Sequence, residues 1–487
     1  MATLRTVTKN TLFYTFSSVL QRASSIIFFP IFSYYLTKGD YGIQSVVTYV
    51  LMFASIVCGL QLLPTATRLI HDNENYEARI RDVYGSYFLL IFLTNALVAI
   101  ALLTVGPWMM RPFLNDIEFF PYIAITACTL PFVATYLVYK NYLQATHQGA
   151  RFVKMDLLYF GCNVGFNLLF VTVFQMGVKG ILVSSLVSSA AFAMYSYFAF
   201  LRKTNLRFNR QVLREGLHFS LPLVPYAMLG VLLDSTDKLM LNAKLGKDAS
   251  GLLYIATMLG AMFTVLRESA YHAIVPWFYQ QYEKLPAVYT RRVLHVAFGG
   301  MCVLAVGISL FSHELLLLLS SNDELIHSFR YTPVIVNTAL VVFLGQLLNM
   351  GVMYFKRYVR YLFITTVVAI PVNIVLSYFL IDRLGIYGAA LSNFAAMSAM
   401  TVVLAFLGHR SGFRLNYAYF ITACACSVGL SFVALAPLEF WSLFGLKVLI
   451  ILVLIAGYYA YVARHFPISE IIRSRAQPLA GLFQRIR

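Results

Sequence analysis

Long apolar runs separated by short polar stretches recur along the whole chain. A helix that crosses a hydrocarbon core of about 30 Å needs about 20 apolar residues. Runs of that order occur about fourteen times, at 11–36, 42–63, 84–106, 119–139, 155–176, 180–201, 217–243, 250–266, 293–311, 331–355, 361–381, 386–408, 415–437 and 440–463. They are continuous and lack the alternation of a membrane-barrel strand. The pattern therefore predicts an all-α polytopic membrane protein. The first run is too long for a signal-peptide core, carries Arg22 near its middle and has no small-residue cleavage site, so it is expected to stay as a span.

Composition sharpens this picture. The 487 residues are 60% hydrophobic and only 12% charged, with a mean hydropathy of +0.74, which excludes a soluble catalytic domain and a disordered tail of any length. The net charge of +17 does not point to nucleic acid, because the basic residues are scattered between apolar runs rather than gathered on one surface. Cytoplasmic retention of Lys and Arg explains the excess. With the N-terminus placed in the cytoplasm, the large majority of the 37 Lys and Arg fall inside, and an even number of spans puts the C-terminus there too. The six cysteines lie within apolar runs and are expected to be small buried hydrophobes, with no disulfide framework and no metal site.

Self-comparison reveals a duplication. Leu36, Lys38 and Gly42 recur as Leu245, Lys247 and Gly251, and Gly177, Gly180 and Ser184 recur as Gly385, Gly388 and Ser392, at nearly the same separation. Both sets fall at turns between spans. Copies six spans apart share an orientation and are related by an axis along the membrane normal. The expected division is an N-lobe at 1–201, a cytoplasmic linker at 202–216, a C-lobe at 217–408, a terminal helix pair at 409–463 and a basic cytoplasmic tail at 464–487. The short outside loops leave no room for an extracytoplasmic catalytic domain.

Charge within a span is costly, so such residues face a cavity or a partner. Arg22 belongs to a polar stripe of Thr11, Thr15, Ser18 and Ser25 on one face of the first span. Asp234, Asp237 and Lys238 fall in the seventh. Asp234 and Lys238 are one turn apart and can pair, which leaves Asp237 as a carboxylate able to carry a proton. The same trio also reads as an internally neutralised packing device. Arg68, Arg267, Glu268 and His272 lie at the ends of the second and eighth spans, either as snorkelling topology signals or as a basic vestibule. Gln21, Gln44, Asn163, Asn167, Gln346, Asn349 and Asn373 either line a hydrophilic cavity or bridge helices.

Lys9-Asn10-Thr11, Arg22, the turn Leu36-Thr37-Lys38-Gly39-Asp40-Tyr41-Gly42 and Arg68 resemble the polysaccharide-exporter branch of the MOP flippase superfamily. Ser235-Thr236-Asp237-Lys238-Leu239-Met240-Leu241 followed by Gly251-Leu252-Leu253-Tyr254-Ile255-Ala256 is similar to the seventh and eighth helices of that branch. The resemblance implies a Wzx-type flippase, related to MurJ-type lipid II flippases and MATE transporters. Such a protein moves an undecaprenyl-pyrophosphate-linked oligosaccharide across the bacterial inner membrane for O-antigen, capsule or exopolysaccharide assembly. The resemblance carries over Arg22, with Lys238 and Asp237, to the cavity that engages the pyrophosphate; together with the charge pattern above, substrate binding is expected at Arg22, Lys238, Arg68 and Arg267, and ion coupling at Asp234, Asp237 and His272.

The implied protein is not an enzyme and holds no cofactor. No nucleotide-binding motif accompanies the spans, so an H⁺ or Na⁺ gradient or the membrane potential is the expected drive. Expected partners are the lipid-linked oligosaccharide, membrane lipids, a polysaccharide polymerase and chain-length machinery. The chain is expected to be a monomer. A MATE-like drug antiporter is the alternative, favoured by Asp234 and Asp237 and opposed by Arg22, and a membrane enzyme of polysaccharide assembly ranks third.

Overall fold

A computed structural model of the chain describes residues 27–71, 76–284, 287–356, 358–413, 415–436 and 440–465. Arg22 with its polar stripe and the tail from 466 onward lie outside the described residues. The regular elements among the described residues are all helices. Those used here are α1 (Phe29–Tyr35), α2 (Lys38–Gly59), α3 (Leu62–His71), α4 (Tyr76–Met109), α5 (Ala124–Ala145), α6 (Gly149–Leu168), α7 (Val178–Leu201) and α8 (Arg210–Ser220). They continue with α9 (Leu223–Gln281), α10 (Ala287–Leu310), α11 (Ser312–Leu319), α12 (Thr332–Phe355), α13 (Phe363–Leu384), α14 (Ile386–Ser411), α15 (Tyr417–Ser431) and α16 (Phe440–His465).

Twelve helices among the described residues are long and apolar enough to span a membrane. One of them, α9, has 59 residues, well over twice what a crossing requires, and it breaks at Gly246, where φ is 80°. Only glycine takes that conformation readily. With the two arms of α9 counted separately, the described helices account for every predicted span except the first, of which α1 is the end. Hydropathy misplaced some ends. The second arm runs to Gln281, past the predicted limit at 266. Hydropathy marks where lipid ends, whereas backbone hydrogen bonding can carry a helix on through polar residues such as Arg267 and His272.

Local chemistry explains the starts. Thr37 and Asp40 form a reciprocal capping box at the head of α2: the Thr37 amide donates to Asp40 Oδ2 at 3.0 Å, and the Asp40 amide donates to Thr37 Oγ1 at 3.2 Å. Asn209 caps α8 by accepting from the Gln211 and Val212 amides at 3.2 and 3.3 Å.

The duplicated turns share a conformation as well as residues. Gly177 and Gly385 both sit at positive φ, 58° and 60°. A Cβ on Gly180 would press on the backbone of Phe170, and one on Gly388 on that of Leu380.

The chain divides into two compact units. The first comprises Met1–Met258, Leu317–Ser328 and Thr366–Ala396, and the second Leu259–Leu316, Phe329–Thr365 and Met397–Arg487. In the first unit, Tyr84, Tyr87, Tyr139 and Phe200 are fully buried, and Tyr139 and Tyr142 meet Phe200 edge-on. In the second, Phe263, Phe278, Phe298, Phe343, Phe413 and Phe420 form an aromatic core. Much of the remaining surface is apolar, Trp108, Leu318 and Trp441 each being about four-fifths exposed. Lipid solvates such a surface and water does not. The cysteines depart from expectation for this reason: Cys58 is buried, while Cys128, Cys162 and Cys426 are exposed on helix faces where lipid, rather than protein, covers an apolar side chain.

Candidate functional site

Within the first unit, the heads of α2 and of the second arm of α9 are locked together by their duplicated residues. A Cβ on Gly42 would collide with the Lys247 carbonyl, and one on Gly251 with the Lys38 carbonyl. Each copy thus uses its glycine to admit the backbone of the other. Charges close the contact. Lys38 Nζ lies 3.5 Å from both Asp248 and Glu324, and Asp116 accepts the Lys247 amide at 3.0 Å. Asn242 Nδ2 donates to the Phe113 carbonyl at 2.7 Å, and Lys244 reaches Asp382 at 2.7 Å.

Asp237 and Lys238 lie on the first arm of α9, Asp237 nine residues before Gly246. At 1.5 Å per residue that is about 13 Å of helix, close to half a hydrocarbon core. Lys238 pairs with Asp237, its neighbour in sequence: its Nζ is 3.1 Å and 3.2 Å from the two Asp237 oxygens. Asp234 contributes its backbone carbonyl, which accepts from the same ammonium at 2.6 Å. Tyr49 places its ring centroid 5.5 Å from Lys238 Nζ, and Asn393 hydrogen-bonds Asp237. Only 2% of the Asp237 side chain is exposed. Both charges therefore have internal partners.

A polar chain supports the pair. Asn373 donates to the Leu233 carbonyl at 3.0 Å, Ser377 donates to Asn373 Oδ1 at 3.0 Å, and the Ser377 and Ser392 hydroxyls are hydrogen-bonded at 2.7 Å. Asn373 thus bridges helices.

Beside these helices a cavity of 340 Å³ opens in the first unit, its walls supplied by α1, α2, α6, α7 and the second arm of α9. Phe32, Tyr159, Phe160 and Tyr254 give it aromatic faces, and Gln44, Asn163 and Asn167 give it amides. Asn167 Nδ2 donates to Asn163 Oδ1 at 3.0 Å, whereas Asn167 Oδ1 and the buried Tyr41 hydroxyl have no hydrogen-bond partner among the described residues. Buried polar atoms left unpaired are costly, so a ligand that hydrogen-bonds them is favoured there. Among the described residues no charged side chain lines the cavity. Tyr254 connects it to the ion pair, because its hydroxyl hydrogen-bonds Thr48 and Tyr49 feels both Tyr254 and Lys238.

In the second unit, Arg267 and Glu268 form another pair, Nη2 to Oε1 at 2.6 Å. Gln346 Nε2 donates to the same oxygen at 3.1 Å, and His272 Nε2 lies 3.9 Å from the other. His272 is 77% exposed at its side chain. The residues proposed from sequence thus separate into two clusters, Asp237 with Lys238 and Arg267 with His272. Arg68 lies on α3, and its side chain falls outside the description. Sequence reasoning missed Tyr49 and Asn393 as partners of the pair, since both come from distant helices. Among the described residues no group of three or more His, Cys, Asp or Glu is placed to hold a metal ion.

A family model described as polysaccharide biosynthesis protein matches residues 7–281. No curated protein matches the sequence. Among solved structures, the chain is similar to the lipid II flippase MurJ in an inward closed conformation, at 14% identity and a TM-score of 0.69, covering 93% of this chain and 98% of that one. It is also similar to an inward-facing multidrug resistance MATE family transporter of the MOP superfamily, at 13% identity and a TM-score of 0.65, covering 80% and 94%. A mutant of the Vibrio cholerae MATE transporter VcmN gives 11% identity and a TM-score of 0.56, covering 86% and 98%. At these identities the likeness is one of fold.

Proposed function

The chain belongs to the polysaccharide biosynthesis protein family, and from that premise we propose that it is a flippase for a lipid-linked oligosaccharide. The cargo is an undecaprenyl-pyrophosphate-linked repeat unit of O-antigen, capsule or exopolysaccharide, carried from the cytoplasmic to the outer leaflet of the bacterial inner membrane. Both termini are cytoplasmic in this reading. Movement is by alternating access of two lobes, 1–201 and 217–408, and the drive is an ion gradient or the membrane potential.

The observation that carries the proposal is the cavity walled by aromatic faces and amides, uncharged among the described residues, where Asn167 Oδ1 and the Tyr41 hydroxyl find no partner among those residues. Sugar rings offer C–H faces to aromatic rings and hydroxyls to amides, so a neutral glycan fits this lining. The pyrophosphate falls to Arg22, whose planar fork suits two phosphate oxygens. Arg68 and Arg267 supply further positive charge. A polyprenyl tail needs no pocket, because the exposed apolar helix faces already meet lipid.

The MATE-like reading requires an acidic residue free to hold a cation. Asp237 does not meet that requirement, because Lys238 already occupies its carboxylate.

The test is binding of a fluorescent undecaprenyl-pyrophosphate oligosaccharide to the protein in nanodiscs. Tyr254→Ala and Asn167→Ala are each expected to weaken binding by about tenfold, or about 1.4 kcal/mol. Unchanged affinity in both variants would overturn the assignment of the cavity.

A further inference from the structure

A second pocket, of 690 Å³, lies in the first unit where the ends of α4, α5 and α7 come together. We propose that it binds a phosphate-bearing anion, either the headgroup of an anionic phospholipid or free phosphate. Its lining includes Arg81, His147, Arg202 and Lys203, and among the described residues no carboxylate side chain. The adjacent acid, Asp82, stands behind the wall and is already engaged: it accepts from the lining residue Asn205 at 2.9 Å and from Asn209 at 3.3 Å, and Arg207 lies 3.6 Å away. Among the described residues, Arg81, Arg202 and Lys203 form no ion pair.

The pocket is built by backbone rather than by mobile side chains alone. The Lys203 and Thr204 amides both donate to the Phe200 carbonyl, at 3.1 and 2.9 Å, which curls the chain at the end of α7. The Asn205 amide donates to the Arg81 carbonyl at 3.4 Å, and Gly85 lets the Asn205 backbone approach α4 closely. His147 holds the third corner with a φ of 54°, which a non-glycine residue adopts only at a cost. Partial burial, reinforced by the positive charge of Arg151, holds the Lys203 amine below its ordinary range. Arg81, Arg202 and Lys203, which have no counter-ion among the described residues, repel one another, and a bound anion relieves that repulsion.

A lipid source is natural to the place. Tyr195, Tyr197, Phe198 and Leu201 on α7, next to the pocket, are exposed and can flank acyl chains. Free phosphate would satisfy the same charges without them.

Thermal unfolding of the full-length protein in detergent separates the cases. Phosphatidylglycerol is compared with phosphatidylcholine, and inorganic phosphate with chloride at equal ionic strength, for the native chain, Arg202→Gln/Lys203→Gln and Arg202→Lys/Lys203→Arg. The proposal expects at least one anion to raise the midpoint by roughly 3 °C or more over its control. That gain disappears in the glutamine pair and survives in the charge-keeping pair, which also reports that the corner still folds. A shift with phosphatidylglycerol alone assigns the headgroup, and a shift with phosphate as well assigns the free ion. No shift over either control, or a shift the glutamine pair retains, overturns the proposal.

Discussion

The helix α9 carries two ion pairs made of adjacent residues, Asp237 with Lys238 in the first unit and Arg267 with Glu268 in the second, and they live in different surroundings. In the first pair the acid is 2% exposed, and its neighbours are an aromatic ring, an amide and a backbone carbonyl. In the second the acid is 26% exposed, and one further amide and a largely exposed His272 attend it. An acid beside a base thus has a dry carboxylate in one pair and a partly wet one in the other, while the two basic side chains are about equally covered. The dry pair fixes structure, because neither charge can separate without entering hydrocarbon uncompensated. Water can reach the more exposed carboxylate of the second pair, so that pair opens at lower cost.

The most severe way to break this comparison is Lys238→Met, which leaves the Asp237 charge buried and unpaired. A loss of about 3–5 kcal/mol in unfolding free energy is expected, measured by denaturant titration in detergent. The double variant Asp237→Asn/Lys238→Met should recover most of that loss, since both charges leave together. If the double variant is as unstable as the single one, the pair is not a neutralised unit.

Glu268→Gln in the second pair should cost less, about 1.5–3 kcal/mol, by removing one charged hydrogen bond at a site water can reach. A cost equal to that of Lys238→Met would erase the distinction. The smallest effect is expected for Lys38→Met at the crossing of α2 and α9. The side chains of Lys38 and its two acidic partners are between about one-third and two-thirds exposed, and exposed pairs contribute about 0–1 kcal/mol. Gly251, at the same crossing, admits backbone and should tolerate no larger residue.

How far each region could be read from sequence follows the same division. The crossing was legible because its determinants are local and repeated: the Leu36–Gly42 turn and its copy around Gly251 announce themselves, and Gly246 supplies the positive φ that ends the first arm. Span number was legible because it depends only on apolar length. The buried pair was half legible. A charge in an apolar run signals a partner, and helical spacing pointed to Asp234, whereas the flexible lysine stem also folds back on Asp237 and on the backbone oxygen of Asp234. Tyr49 and Asn393 were out of reach, since helix register between distant spans is set by packing. The cavity was visible only as a set of scattered amides, of which Asn163 and Asn167 line it while Asn373 and Gln346 bridge helices.

The most direct test of the central claim is translocation in proteoliposomes containing the purified chain and a fluorescent undecaprenyl-pyrophosphate oligosaccharide, with and without imposed potential and pH gradients. The account predicts gradient-dependent flipping that collapses in Arg22→Ala and falls markedly in Tyr254→Ala. No flipping of any glycan tested, together with proton-coupled efflux of a cationic dye that Asp237→Asn abolishes, would contradict it and identify a drug antiporter instead.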